Sequence, residues 1–365
     1  MIIKKIVLRN YRNYTNLSLT FSPKLNIIVG DNGVGKTNIV EAIQFLSLAR
    51  SFRTRETNDL IRENCQFGTI EAKVIENEIE KDILAILTPN SKKITCNGKQ
   101  IKRLSELSEL VNVVVFEPKD SLMFNDSPLV RRNYLDVNLS KKSTIYLNHL
   151  MKYEALLKER NKTLKLETID MNVLDVLTDQ IIDISKEIAT YRAKYIEDLN
   201  NIVSKIIAQI KGQKEEAFIR YQPFVIPDEN FVKNAKKKYQ DSLENDIKHK
   251  VTNVGIHRED YQMFLNGNDI ASFGSQGENR LAVIALKIAP YFLIEDRAKR
   301  PIIVLDDVMS ELDANHKTKL IEFVDKLEQV FITSTSTNVK NASVYEVTKN
   351  QKINIRRNSW WKKKK

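Results

Sequence analysis

Gly30-Asp31-Asn32-Gly33-Val34-Gly35-Lys36-Thr37 follows an apolar run, Leu25-Asn26-Ile27-Ile28-Val29, and runs on into Asn38-Ile39-Val40-Glu41-Ala42-Ile43, which suits a helix. A strand, the pattern G-x-x-x-x-G-K-[ST] and a helix in that order constrain the chain to an α/β fold with a phosphate-binding loop at a strand end. The N–H groups of a Gly-rich turn and of a helix N-terminus together form a cradle for anions. Lys36 can reach the terminal phosphates of a nucleotide, and the Thr37 hydroxyl can bind Mg²⁺. The chain has ten glycines, and three of them fall in this loop, where the backbone must approach a ligand. The expected nucleotide-binding residues are therefore Gly30, Asp31, Asn32, Gly33, Val34, Gly35, Lys36, Thr37 and Asn38.

A second half-site lies far downstream. Pro301-Ile302-Ile303-Val304-Leu305-Asp306-Asp307 is an apolar strand ending in paired carboxylates. Ligands of open α/β sheets gather at the carboxyl ends of strands. Asp306 is placed to hold Mg²⁺ together with Thr37, and Asp307 to orient or deprotonate an attacking water. Asp307 and Lys36 are thus the candidate catalytic residues. A buried strand leaving for solvent through acidic residues gives the same pattern, and only the pairing with the loop favours the metal.

A third motif is Phe273-Gly274-Ser275-Gln276-Gly277-Glu278-Asn279-Arg280, followed by the apolar helix Leu281–Ala289. Ser275 and Glu278 fit a capping box, which accounts for both without a ligand. The alternative is a second anion site on a Gly-flanked helix N-terminus, using Ser275, Gln276, Gly277 and Glu278.

From residue 129 to residue 211 there is neither Gly nor Pro. Leu177, Ile181, Ile184, Ile188, Tyr191, Tyr195, Leu199, Ile202, Ile206 and Ile210 recur at helical spacing, which predicts one long amphipathic helix. Period-two segments between Phe67 and Ile101, with Asn97-Gly98 as a hairpin signal, predict an antiparallel sheet. Expected boundaries are 1–128 for the first part of an ATPase head, 129–250 for an inserted helical lobe, 251–355 for the rest of the head and 356–365 for a basic tail. Two cysteines, Cys65 and Cys96, are too few for a disulfide framework or a zinc site. No run reaches the about 18 apolar residues of a membrane span, and no signal-peptide pattern is present. These features predict a cytoplasmic protein with no membrane partner. The formal charge is +11, of which Arg356, Arg357 and Lys362–Lys365 supply six, leaving 11 − 6 = +5 for the rest. The tail interleaves cations with Trp360 and Trp361, which suits phosphates and base stacking as well as it suits a solvated terminus.

The three motifs, with Ser310-Glu311-Leu312-Asp313 after the acidic pair, resemble the ABC-type ATPase heads. The blocks Ile6–Tyr14, Ala49-Arg50-Ser51-Phe52-Arg53-Thr54, Arg131-Arg132-Asn133-Tyr134-Leu135-Asp136 and Gly255-Ile256-His257-Arg258-Glu259-Asp260 extend the likeness from about residue 1 to residue 348. They resemble the RecF family of bacterial recombination mediators, relatives of the SMC and Rad50 heads. The resemblance implies an α/β head with a mixed sheet and an inserted helical lobe, without a long coiled coil. It implies ATP and Mg²⁺ as cofactors and an ATP-dependent homodimer in which Ser275–Glu278 completes the partner's site. It further implies binding to duplex, single-stranded and gapped DNA, RecR and RecO as pathway partners, and loading of RecA at single-stranded gaps. Candidate DNA contacts are Arg50, Arg53, Arg131, Arg132 and Arg258, and Arg12 is a candidate for approaching the nucleotide. Glu278 stands where the family has Gln, Asp307 where many heads have Glu, and Ile332–Ser336 lacks the His of transporter ATPases. These departures bear on the rate of hydrolysis more than on nucleotide binding; the resemblance implies at most a weak, DNA-stimulated ATPase acting as a switch. The competing reading is a stand-alone NTPase or the ATPase head of a DNA-processing enzyme. A transporter head would need a membrane partner, and a chromosome-organising protein a long arm.

Overall fold

The computed structural model describes residues 1–310, 312–336, 339, 342–350 and 352–356. The basic tail beyond Arg356, and Glu311 of the segment after the acidic pair, lie outside the described residues. The described chain forms two compact units, one from 1–121, 208–214 and the residues after 282, the other from 122–207 and 215–282.

In the first unit a parallel sheet carries the site. Its strands run in the order Ile353–Arg356, Ser343–Val347, Leu25–Val29, Val330–Ser334, Ile302–Leu305 and Val113–Phe116. All neighbours are parallel except the outermost pair, Ile353–Arg356 against Ser343–Val347. The central strands are continuous apolar runs because both of their faces are covered. A second, antiparallel sheet is built from Ile2–Tyr11, Tyr14–Thr20, Gly68–Glu76, Ile79–Thr88, Ser91–Cys96 and Lys99–Gln100. Asn97 and Gly98, both at positive φ, make the expected hairpin turn. The helix Lys36–Leu48 buries Ile39, Val40, Ala42, Ile43, Phe45 and Leu46 in one cluster with side chains of both sheets. A helix apolar on nearly every side belongs between layers, and this packing anchors the phosphate loop at its head.

The second unit holds the helices Pro128–Lys142, Thr144–Thr163 and Phe231–His249, with a three-stranded sheet of Ala217–Gln222, Asp260–Leu265 and Asn268–Asp269. The predicted long helix forms as Met171–Lys211, whose last turn belongs to the first unit. There Gly212, at φ +73°, ends the helix, and Lys319 Nζ donates to the Lys211 carbonyl at 2.9 Å. The partition differs from the expected one, because 251–282 group with the insertion and not with the head. The cause is pairing: Asp260–Leu265 is an antiparallel neighbour of Ala217–Gln222, which lies inside the insertion.

Buried ions organise this second unit. Arg192 binds Asp136 and Glu259, and Arg160 binds Asp246. His257 is half-buried beside them. Its Nε2 lies 3.1 Å from the Thr252 carbonyl and must donate to it, so Nδ1 accepts from the Tyr153 hydroxyl at 2.6 Å. Burial pushes the imidazole down to about 4, helped by Arg258 and Arg132. The folded chain therefore prefers the neutral ring. Its contribution to stability is complete above the ordinary value of 6.5 and is lost as pH falls towards 4. The thermal midpoint should drop between pH 7 and pH 5, and His257→Gln should flatten that dependence by about 2 kcal/mol. Parallel curves for the two proteins would refute the assignment.

Candidate nucleotide site

The loop Gly30–Gly35 leaves the strand Leu25–Val29 and enters the helix Lys36–Leu48. Gly35 stands at the helix start with φ +111°, and no side chain caps that start. The first N–H groups of the helix are thereby left to a ligand. A Cβ on Gly33 would meet nothing within 4 Å, so it is the backbone, at φ +81°, that favours glycine there. Lys36 is folded back onto its own loop, with Nζ donating to the carbonyls of Gly30 at 2.6 Å and Asp31 at 2.8 Å. Burial pushes the ammonium down, and the nearby Asp307, Asp306 and Asp31 oppose that shift. The ammonium thus closes the loop around the space that a phosphate chain would fill.

Thr37 and Asp306 meet as the spacing predicts. Thr37 Oγ1 donates to Asp306 Oδ1 at 3.2 Å. Thr333, on the strand between the loop strand and the acidic strand, donates to the same oxygen at 2.6 Å. Burial pushes the Asp306 carboxyl up, the Thr333 and Thr37 hydroxyls pull it down, and Asp307 adds to the upward push. A hydroxyl and a carboxylate side by side are the hard oxygen donors that Mg²⁺ prefers, so the residues fit the ion. Asp307 follows in a left-handed backbone conformation, φ +49°, which an L-residue adopts at a cost of about 1–2 kcal/mol. Its N–H donates to Thr333 Oγ1 at 2.8 Å, and Ser310 Oγ donates to its carbonyl at 3.0 Å.

Several supporting residues escaped the sequence reading. The hairpin tip at Arg12 and Asn13 reaches the loop. Asn13 Nδ2 donates to the Val34 carbonyl and Tyr14 Oη to the Gly35 carbonyl, both at 3.2 Å. Asn38 Nδ2 donates to Asn13 Oδ1 at 2.7 Å. Glu41, fully buried in the loop helix, accepts two bonds from Arg12 at 2.5 and 2.8 Å and one from Ser51. Arg12, expected near the nucleotide, is held by this carboxylate and by the Asp59 carbonyl. An Asn-Tyr pair in a hairpin turn carries no sequence signal of its own, whereas a Glu inside an apolar helix is a signal that could have been read.

The third motif, Phe273–Arg280, here called the signature segment, belongs to the second unit. Ser275 and Glu278 form the capping box, with Ser275 N and Oγ donating to Glu278 Oε2 at 3.0 Å and Glu278 N donating to Ser275 Oγ at 3.2 Å. Ser275 and Gln276 are exposed, and a Cβ on Gly277 would meet nothing within 4 Å.

The candidate DNA arginines separate by burial. Arg50 and Arg258 are exposed. Arg53 is exposed but leans on the loop helix, donating to Asn38 Oδ1 at 2.8 Å and standing 3.8 Å from Glu41. Arg132 is half-buried and donates to the Glu259 carbonyl. Arg131 is no phosphate contact: it is buried, holds Asp260 through Nε and Nη2, and donates to the carbonyls of Met123, Phe124 and Asp126. Arg131→Ala should cost about 3 kcal/mol of stability by stranding Asp260, while the salt dependence of DNA binding stays as in the parent chain. A flattened salt slope in fluorescence anisotropy would restore the phosphate role. Gly35→Ala should weaken nucleotide binding at least about tenfold. A Cβ there would sit 2.7 Å from Asn13 Nδ2 and 2.8 Å from Tyr14 Oη at a φ that alanine rarely adopts. Titration calorimetry returning unchanged affinity would mean that the hairpin does not set the loop.

Comparison with known proteins accords with this geometry. The family model described as the RecF/RecN/SMC N terminal domain matches residues 2–356. The DNA replication and repair protein RecF of Halalkalibacterium halodurans is 34% identical over 362 residues, covering 95% of this chain and 98% of that protein. The RecF of Clostridium perfringens is 34% identical over 355 residues, covering 97% of each. A solved structure of the recombination mediator protein RecF with ATP, in the RecFOR pathway, superposes with a TM-score of 0.86 at 31% identity, covering 97% of each chain. The Smc head domain of Pyrococcus furiosus shares the fold, with a TM-score of 0.60 at 16% identity, over 97% of this chain and 96% of that one. With the phosphate loop, the acidic pair and the capped signature helix disposed as described, the chain belongs to the RecF family of DNA replication and repair proteins, within the RecF/RecN/SMC group.

Proposed function

We propose that the chain is an ATP-controlled DNA-binding protein of the RecFOR recombination pathway that closes as a homodimer on DNA and promotes RecA loading at single-stranded gaps. The observation that carries this reading is the convergence of Lys36, Thr37 and Asp306 on one loop, in a chain similar over 97% of its length to RecF with ATP. Gly30–Asn38 would hold the phosphates of ATP, with Lys36 giving up its loop carbonyls for phosphate oxygens. Thr37 and Asp306 would hold Mg²⁺, which when bound neutralises charge on the phosphates. Ser275–Glu278 would complete the site of the second copy. Arg50 and Arg258 are the arginines best disposed to meet DNA phosphates, because each is exposed. Slow hydrolysis would reopen the dimer. Among the described residues no helix is long and apolar enough to cross a membrane, and we assign the chain to the cytoplasm.

Light scattering on gapped duplex distinguishes this reading from a stand-alone NTPase. With ATP and Mg²⁺ the mass of the bound protein should double, and with ADP or no nucleotide it should not. Lys36→Ala should keep the fold and abolish the doubling, having lost a charge-assisted contact of about 2–3 kcal/mol to phosphate. Asp307→Asn should accumulate the dimer. A mass that ignores nucleotide, alongside rapid turnover without DNA, would favour the stand-alone enzyme.

A further inference from the structure

Thr333 lies where the phosphate loop and the acidic pair are held together. Its strand, Val330–Ser334, is hydrogen-bonded to Leu25–Val29 on one side and to Ile302–Leu305 on the other. Ile332 pairs with Leu305, so Thr333 comes level with Asp306, one residue beyond the end of the acidic strand. The side chain is 1% exposed. An ionised carboxylate can only accept and a backbone N–H can only donate, so the direction of both bonds is fixed. The hydroxyl hydrogen goes to Asp306 Oδ1 at 2.6 Å, and the hydroxyl oxygen accepts from Asp307 N at 2.8 Å.

We propose that Thr333 is a positioning residue for ATP hydrolysis, one hydroxyl setting the carboxylate of Asp306 and the backbone of Asp307 together. The inference rests on the nucleotide-dependent reading above. In hydrolysis a water oxygen bonds to the γ-phosphorus, and the bond from that phosphorus to the bridging oxygen breaks, its electron pair leaving with ADP. The water proton passes to the Asp307 carboxylate and then to solvent, giving ADP and inorganic phosphate. The direction of the Asp307 side chain therefore decides whether the water is held in line. The backbone that carries this side chain is left-handed, at φ +49°, which the unaided residue disfavours. Thr333 holds the N–H of this residue, and Ser310 holds its carbonyl from the following turn. The same Thr333 hydroxyl turns Asp306 Oδ1 towards Thr37, which also donates to it.

The test is steady-state ATP hydrolysis on gapped DNA, with ATP affinity measured separately by calorimetry. Thr333→Val keeps the shape and removes both bonds. Its kcat should fall roughly tenfold to a hundredfold, with ATP affinity changed by less than about threefold. Thr333→Ser restores the hydroxyl and should recover most of the rate. Equal rates for the wild-type and Val proteins would overturn the proposal, as would a Ser variant as slow as Val. A parallel loss of affinity and rate, tracking a lowered thermal midpoint, would reduce Thr333 to a structural role and overturn it too. Should the Val chain fail to fold, Thr333→Cys, of similar size and weak in hydrogen bonding, is compared with Thr333→Ser. Cys should be slow and Ser fast, and equal rates overturn the proposal. A wild-type protein with no Mg²⁺-dependent hydrolysis would instead sink the reading of the site as an ATPase, which separates the two failures.

Discussion

The head depends on one buried carboxylate oxygen. Asp306 Oδ1 receives hydroxyl bonds from Thr37 and Thr333, on segments that lie 269 and 27 residues away in the chain. A carboxylate that is 4% exposed and lacks donors would be severely destabilising. The donors must therefore arrive from a loop helix and a neighbouring strand, and they do so only if the three central strands keep their register. A slip of one residue would turn Thr333 to the opposite face. The insertion of 122–207 and 215–282 between these segments is tolerated because the meeting point is secured from within the sheet.

The two helix starts with anion-binding potential are prepared differently. The helix after the phosphate loop begins at Gly35 with no side-chain cap, so its N-terminal charge is unopposed. The signature helix begins at Ser275, whose hydroxyl already accepts from the Glu278 N–H while the Glu278 carboxylate accepts from the Ser275 N–H. An uncapped start suits a ligand with several phosphates gripped from one side. A start holding its own carboxylate has its capping bonds made from within the helix. The Glu at position 278 is thus part of the helix's own stability.

What the sequence made legible was local. The phosphate loop, the acidic pair at the end of an apolar run, the Asn97-Gly98 hairpin and the helix through Leu177–Ile210 each declare themselves within a few residues, because period and turn chemistry are local properties. The meeting of Thr37 with Asp306 was also foreseen, since strand-end chemistry is shared by all open sheets. What the sequence withheld was the use of interchangeable residues. Arg131 and Arg258 look alike in a basic chain, yet Arg131 is claimed by Asp260, 129 residues on, and Arg258 is exposed. Arg12 and Glu41 pair across 29 residues with no period to announce it. The boundary after residue 250 was misplaced because strand Asp260–Leu265 chose a partner in the insertion, a decision made by non-local pairing.

The end of the long helix imposes a rule on how this chain can change length. Lys319 grips the Lys211 carbonyl, and a Cβ on Gly212 would fall 2.0 Å from its Nζ. The rotation of the final turn is fixed at that clamp. Residues gained or lost inside Met171–Lys211 therefore shift the phase of everything on its amphipathic face unless they come in near-whole turns, about 3.6 residues each. Steps of seven or eleven residues keep the buried stripe nearly aligned, whereas single insertions rotate it by about 100°. Length variation within this helix should consequently be quantised.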